Sequence, residues 1–303
     1  MICVDIKGGL GNQMLQLAAG AALSRHRNTE LVLDTSLYQL NAHSARETAR
    51  PLELAQFPAV RELRRLPLPP GAAALARRLP TLRRPLRDLL RRPDVLRLRG
   101  YRYADCYRLP SVAPFFALAD GSYVSGYFFS EQYFTPYADD VRRLLAFPPL
   151  RLAASRGLAD RIAAVPAVSV HVRRGDYTGP AGRAFAGVCD LDYYRRALAA
   201  VGERVDDPHY FVFSDDIPWC RANLPAPAGH VTFVDHTDAA TALDDLQLMS
   251  RCRHHVIANS TFSWWGAWLD PQPDKLVVAP ARWYAEYTGP SEDLIVPAGW
   301  LRV

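Results

Sequence analysis

Apolar residues open the chain on a period of two. Ile2–Ile6 alternates apolar and polar side chains and breaks at Gly8, Gly9 and Gly11, as a strand running into a loop does. Leu10, Met14, Leu17 and Ala21 then recur at helical spacing, and Leu31–Asp34 reads as a second strand. Strand, glycine loop, helix and strand in succession begin a parallel α/β sheet. A second series starts at Val168. Strand Val168–Val172 precedes a helix with Leu191, Tyr194, Leu198 and Val201 on one face, capped by Asp190 and ended by Gly202. His209–Phe213 leads through Ser214, Asp215 and Asp216 into a short helix reaching Asn223. Val231–Val234 precedes a helix with Ala240, Leu243, Leu246 and Met249 on one face. His255–Ala258 feeds a tryptophan-rich helix, and Leu276–Val278 is the last strand. Apolar strands alternating with helices indicate a parallel sheet covered on both faces.

Between the two series the pattern changes. From Arg61 to Arg102 arginines interleave with leucines and prolines interrupt, which predicts short, kinked amphipathic helices presenting a basic surface. Gly121–Phe134 returns to aromatic and β-branched residues, a strand ending in a turn or short helix. Prolines 148, 149 and 166 bracket an alanine-rich helix that links two halves, residues 1–150 and 151–303.

Composition narrows the class. A chain of 303 residues with 49% apolar content has ample core and is not a disordered polymer. Its net charge of +5 is carried almost wholly by arginine, since Lys7 and Lys275 are the only lysines. No apolar run approaches the ~20 residues that span a bilayer. The opening MICVDIKGG reads as a strand and loop, with no cleavable signal peptide, so a cytoplasmic protein is expected. Five scattered cysteines without a CxxC pair fit reduced thiols and do not suggest structural zinc.

Four segments fall where parallel strands should end, the usual ligand side of such sheets. In the first, Gly9 and Gly11 allow close backbone approach, and Asn12 and Gln13 offer amides at a helix start. It is neither a P-loop nor a clean GxGxxG, and it also reads as a plain tight turn. In the second, HVRRGDY, the period of two places His171 and Arg173 on one face and Val172 and Arg174 on the other. Arg173 is a forked donor suited to phosphate, and Asp176 is near enough to orient a guanidinium. A structural Arg–Asp pair and a satisfied core histidine are the bland readings. In the third, Ser214 and Asp215 offer groups to a hydroxyl or an exocyclic amine, whereas Asp215 and Asp216 also suit helix capping. Adjacent aspartates lack the DxD spacing of divalent-dependent sugar transferases, and no metal is expected. In the fourth, Asn259, Ser260, Thr261 and Ser263 crowd a helix start, an anion cradle or an ordinary N-cap. Asp245 lies on the preceding helix, within reach of a base edge if that helix end faces the site. An arginine, a helix terminus and a glycine loop together would bind a diphosphate without a cation.

GGLGNQMLQLAAG, SGYFFSEQYF, VSVHVRRGDY, FVFSDDIPWCR and ANSTFSWWGAWL, in this order, resemble the bacterial α-1,2-fucosyltransferases. That resemblance implies a GT-B-like α/β fold: two Rossmann-like domains with parallel sheets facing a central cleft. The N-terminal domain would take the acceptor side and the C-terminal domain the donor GDP-fucose. It implies inverting transfer of L-fucose, with no cofactor, to the 2-hydroxyl of a terminal galactose in a cell-surface glycan such as O-antigen. Arg173 would contact the β-phosphate with His171 beside the nucleotide, and Arg174 and Tyr177 belong to the same motif. Asp245 would read the guanine edge, Ser260 and Thr261 the phosphates, and Asn12 would sit near the reacting sugar. The α-1,6 enzymes carry a glutamate after their arginine motif, but Thr178–Ala181 has no carboxylate. Glu131 and Asp176 are the substitutes. Fucosyltransferases of α-1,6 or protein O-linkage are the alternatives within the class. A non-enzymatic protein binding membrane or nucleic acid through Arg61–Arg102 is the alternative outside it. The leucines there favour contact with the protein or an anionic membrane, and nucleic acid is not expected as a partner.

Overall fold

The computed structural model describes all residues except 43–49, 108, 110, 180–181, 228 and 287–293; the side chains of Asp176 and Thr178 also lie outside what is described. The chain divides into two compact units, Met1–Pro148 and Pro149–Val303.

The first unit is built on a five-stranded sheet of β1 (Ile2–Asp5), β2 (Leu31–Asp34), β3 (Arg64–Arg65), β4 (Arg102–Asp105) and β5 (Ser122–Ser125). The order is β3-β2-β1-β5-β4, and the pairings are parallel. β1, β2 and β5 are buried throughout, as apolar strands packed on both faces should be. The helix Leu10–His26 is buried along most of its length, so it reads as hydrophobic nearly all round. Because β2 and β5 flank β1 on opposite sides, the strand order reverses between β1 and β5. That switch point is where an open α/β sheet leaves a ligand crevice beyond its carboxyl ends.

The arginine-rich stretch forms short helices, Ala72–Arg78, Arg83–Leu90 and Pro93–Leu98. It is not wholly a surface: Arg87 and Arg91 turn inward, with side chains only 12% and 18% exposed, and both pair with the buried Asp5.

The second unit has a six-stranded sheet of β6 (Ala167–Val172), β7 (His209–Ser214), β8 (Val231–Phe233), β9 (His254–Val256), β10 (Val277–Ala279) and β11 (Leu301–Arg302). Its order is β11-β10-β9-β6-β7-β8, again with parallel pairings. β6 is buried at every residue. The helix Leu191–Gly202 starts at Asp190, whose carboxylate accepts the Tyr193 N–H, and buries Tyr194, Leu198 and Val201 against the sheet. Chain order here reverses between β6 and β9, so the second switch point lies beside the HVRRGDY segment. All five cysteines are unpaired thiols.

Candidate functional site

β6 delivers its arginines to this switch point. Arg173 Nη1 lies 2.6 Å from Asp215 Oδ2, and Asp215 Oδ1 accepts the Arg174 N–H at 2.9 Å. One carboxylate at the end of β7 therefore fixes the chain leaving β6. A Cβ on Gly175 would lie 2.5 Å from Asp215 Oδ2, so any side chain there displaces that carboxylate. Arg174 points elsewhere: its Nε donates to Asp216 Oδ2 at 3.0 Å and its guanidinium covers the Trp219 ring at 4.0 Å. Asp216 also caps the helix Ile217–Asn223 through the Trp219 N–H. Asp215 was expected to meet a ligand; its oxygens instead grip Arg173 and the Arg174 backbone. Ser214 Oγ is likewise engaged, accepting the Asp216 N–H at 2.9 Å.

His171 is 5% exposed and tilts against Phe262 at 5.8 Å between ring centroids. Burial, with Arg173 adding and Asp215 opposing, holds its imidazole down at about 3, so it is neutral. Its Nδ1 is buried with no hydrogen-bond partner among the described residues, an orphan that a ligand group would satisfy.

The segment after β9 closes the other side. The Tyr177 hydroxyl donates to the Asn259 carbonyl at 2.9 Å, and the Tyr177 ring stacks on Phe185 at 5.0 Å. The HVRRGDY segment and the helix start are thereby brought together. The Asn259 side chain is not available to a phosphate: its amide donates to the carbonyls of Phe185 and Trp283 and shapes the loop. Ser260 caps the helix Thr261–Leu269 by accepting the Phe262 N–H, and Ser263 Oγ donates back to the Ser260 carbonyl. Thr261 is the first residue of that helix.

Asp245 occupies the first turn of the helix Ala242–Met249, which follows β8 and so starts on the ligand side of the sheet. Burial pushes its carboxyl up to about 7; a Thr237 hydrogen bond opposes this, and Asp244 and Asp238 add to it. Its Oδ1 is buried without a hydrogen-bond partner among the described residues. Asp244, its neighbour, has a closed role, accepting the backbone N–H groups of Arg151 and Leu152.

In the first unit the glycine loop is more self-contained than expected. Gln13 is fully buried, and its amide bridges the carbonyls of Gly8 and Pro51 to the N–H groups of Glu53 and Leu54. This corrects its reading as a ligand-binding residue. The Leu10 N–H at the helix start is occupied by Glu53 Oε2 at 3.1 Å. Gly9 precedes that helix as its N-cap, and Gly11 and Asn12 lie in its first turn. Glu131 opens a one-turn 3-10 helix beyond β5, where its carbonyl accepts the Thr135 hydroxyl. The Asp176 side chain lies outside the described residues.

Sequence reasoning missed a buried polar cluster at the carboxyl end of β1. Asp5 pairs with Lys7 at 2.6 Å, with Arg87 at 3.4 Å and with Arg91, and accepts the Ser125 hydroxyl at 3.0 Å. Burial opposes its ionisation, but Lys7, Arg91 and Arg87 prevail and hold its carboxyl down at about 2. An acidic residue ending an otherwise apolar strand was the available signal. Among the described residues no three His, Cys, Asp or Glu side chains converge as a metal set. No helix among them is long and apolar enough to cross a membrane.

Residues 93–302 match the sequence pattern of Glycosyl transferase family 11. The chain belongs to this family. It is therefore a glycosyltransferase, moving a sugar from a donor to an acceptor. It is 30% identical over 311 residues to the O-antigen biosynthesis glycosyltransferase WbnK of Escherichia coli, covering 98% of this chain and 99% of that protein. It is 28% identical over 305 residues to an Escherichia coli alpha-1,2-colitosyltransferase, covering 100% of this chain and 99% of the relative. Over 103 residues, 34% of this chain and 28% of the relative, it is 36% identical to human galactoside alpha-(1,2)-fucosyltransferase 1.

Proposed function

We propose that this chain is an inverting α-1,2-fucosyltransferase that moves L-fucose from GDP-fucose to the 2-hydroxyl of a terminal galactose in a bacterial surface glycan. The observation that carries the reading is the clamping of Arg173 by Asp215 beside the start of the Thr261–Leu269 helix. Departure of fucose from GDP builds negative charge on the β-phosphate. A guanidinium held in place beforehand stabilises that charge without reorganising, and the N–H groups of a helix start add to it. These two donors take the part a divalent cation plays in other sugar transferases, so no cofactor is assigned. His171, neutral, and Asp245 are assigned to the nucleotide, Asp245 to the guanine edge; His171 Nδ1 and Asp245 Oδ1, unpaired among the described residues, support this. Ser260 and Thr261 are assigned to the phosphates and Asn12 to the reacting sugar. Glu131 and Asp176 are the carboxylates to test as base.

The α-1,2 linkage is supported by the names of two relatives, and a colitosyl donor is the second reading that one of them favours. The deciding experiment incubates the protein with GDP-fucose, GDP-colitose or GDP-mannose and with lactose or N-acetyllactosamine, and reads the linkage by NMR. Fucose on the galactose 2-hydroxyl is expected. Transfer to another position, or from GDP-colitose alone, overturns the assignment.

We assign the outer face of the arginine-rich helices to peripheral contact with anionic lipid on the inner side of the cell membrane. Leu75, Leu79, Leu82, Leu89 and Leu98 are exposed there among arginines, Leu98 at 89%. Exposed leucines beside cationic residues suit the headgroup boundary. Salt-sensitive sedimentation with phosphatidylglycerol vesicles, lost when Leu89 and Leu98 become serine, is the expected result; sedimentation unaffected by these changes overturns it.

A further inference from the structure

The switch point of the first unit carries an aromatic surface that none of the assignments above uses. Tyr127 and Phe129, in the segment leaving β5, stack face to face at 5.2 Å with an interplanar angle of 13°. Tyr107, beyond β4 and 47% exposed, meets Tyr127 edge-on at 5.6 Å. Lys7 Nζ lies 4.6 Å from the Tyr107 ring centroid and 5.6 Å from that of Tyr127. Lys7 is itself fixed by Asp5 and by Ser125 Oγ at 3.0 Å. The rings are thus seated on a buried, hydrogen-bonded cation, so they are held in place before any ligand arrives.

The backbone is distorted to make this display. Phe128 has a φ of 55°, a left-handed conformation that a bulky residue adopts at a strain of about 1–3 kcal/mol. That turn sends the Phe128 side chain inward, against Phe115 at 5.4 Å and Tyr133 at 5.2 Å, and leaves the rings on either side of it parallel. Gly126 sits in a tight place, since a Cβ there would lie 3.1 Å from both the Cys106 Cβ and the Phe128 ring. Strain retained at the ligand edge of a sheet, in service of a partly exposed ring pair, points to recognition.

We infer that Tyr127, Phe129 and Tyr107 form the subsite that stacks the galactopyranose of the acceptor glycan, an inference that rests on the acceptor class proposed above. The chemistry fits. The axial 4-hydroxyl of galactose leaves the opposite ring face a patch of C–H bonds, which packs on an aromatic face while the hydroxyls stay hydrated. The 2-hydroxyl lies on the ring edge and is not covered by such stacking.

The test uses the full chain with N-acetyllactosamine in two measurements. Saturation-transfer NMR without any donor reads contact with the galactose ring, and steady-state transfer from GDP-fucose reads the two KM values. Tyr127→Ala is expected to abolish the galactose H3–H5 enhancement and to raise the acceptor KM by about tenfold or more, with the GDP-fucose KM within about twofold. Tyr107→Ala, at an exposed position that leaves the fold intact, is expected to do the same to a smaller degree, and Tyr127→Phe to retain both. Unchanged acceptor KM and enhancement in both alanine variants overturn the inference. A rise in the GDP-fucose KM instead also overturns it, by assigning the rings to the nucleotide. If the wild-type chain transfers no fucose, the functional proposal fails, while the donor-free NMR still decides the subsite.

Discussion

Asp215 and Arg173 form a 2.6 Å ion pair at neighbouring strand ends, and the other oxygen of the same carboxylate accepts the Arg174 N–H at 2.9 Å. Asp215 is a positioning residue: it acts through the arginine. Arg173→Lys keeps the charge but loses the planar fork, and is expected to lower kcat by about 100- to 1000-fold with the thermal unfolding curve unchanged. Asp215→Asn should lower kcat less and leave the acceptor KM alone, since only the arginine loses its orientation. Gly175→Ala forces the carboxylate away and is expected to resemble Asp215→Asn. More than about a tenth of wild-type activity in Arg173→Lys removes that residue from the role.

Metal removal separates the arginine reading from a cation-dependent one. Activity after exhaustive EDTA treatment and gel filtration is expected to equal that of the untreated enzyme. Loss that Mg²⁺ or Mn²⁺ restores would return the charge-stabilising part to a divalent ion.

Asp245 predicts a pH dependence with a definite sign. Its carboxyl is raised from 3.8 to about 7, so without nucleotide the protonated form is favoured, and the folded chain loses stability as pH rises through that window. A guanine edge donates N–H groups and requires the ionised form. GDP affinity should therefore rise by up to about tenfold per unit as pH climbs toward 7, then level off. Calorimetry in buffers of different ionisation heat should show proton release on binding at pH 6 and none at pH 8.5. In Asp245→Asn the release should vanish, leaving only the titration of GDP itself.

Asp5 gives the opposite sign. Its carboxyl is lowered from 3.8 to about 2, so its stabilisation is present above 3.8 and is lost as pH falls through 2. Asp5→Ala leaves Lys7, Arg87 and Arg91 without their shared carboxylate, and is expected to destabilise by about 3–5 kcal/mol in urea unfolding. A loss below about 1 kcal/mol would mean that water satisfies the cations.

Much of the architecture was legible because the central strands are apolar on both faces. Val168, Val170 and Val172 announce β6, and the spacing from Leu191 to Val201 announces the helix behind it. β4, reading RYAD, was missed because an edge strand with exposed ends carries no apolar alternation. β3 and β11 have two residues each, too few for any period. The site was harder. Asp215 pairs with Arg173 from 42 residues away, and strand adjacency, which no local pattern records, brought it there. Gln13 and Asn259 looked like ligand amides, and only their four carbonyl partners reveal loop supports. Arg87 and Arg91 stand 82 and 86 residues from Asp5, so helical spacing alone could not say which arginines face inward.

The inward anchoring of Arg87 and Arg91 limits how this chain can be recombined with a relative. A chimera that replaces residues 61–102 with a stretch lacking these two arginines, or trims it as an ornamental loop, takes two cations from the carboxylate that ends the first strand. Wholesale deletion here would remove both anchors; only the outward leucines and arginines are open to redesign, while the two anchors must travel with their acid as one inherited unit.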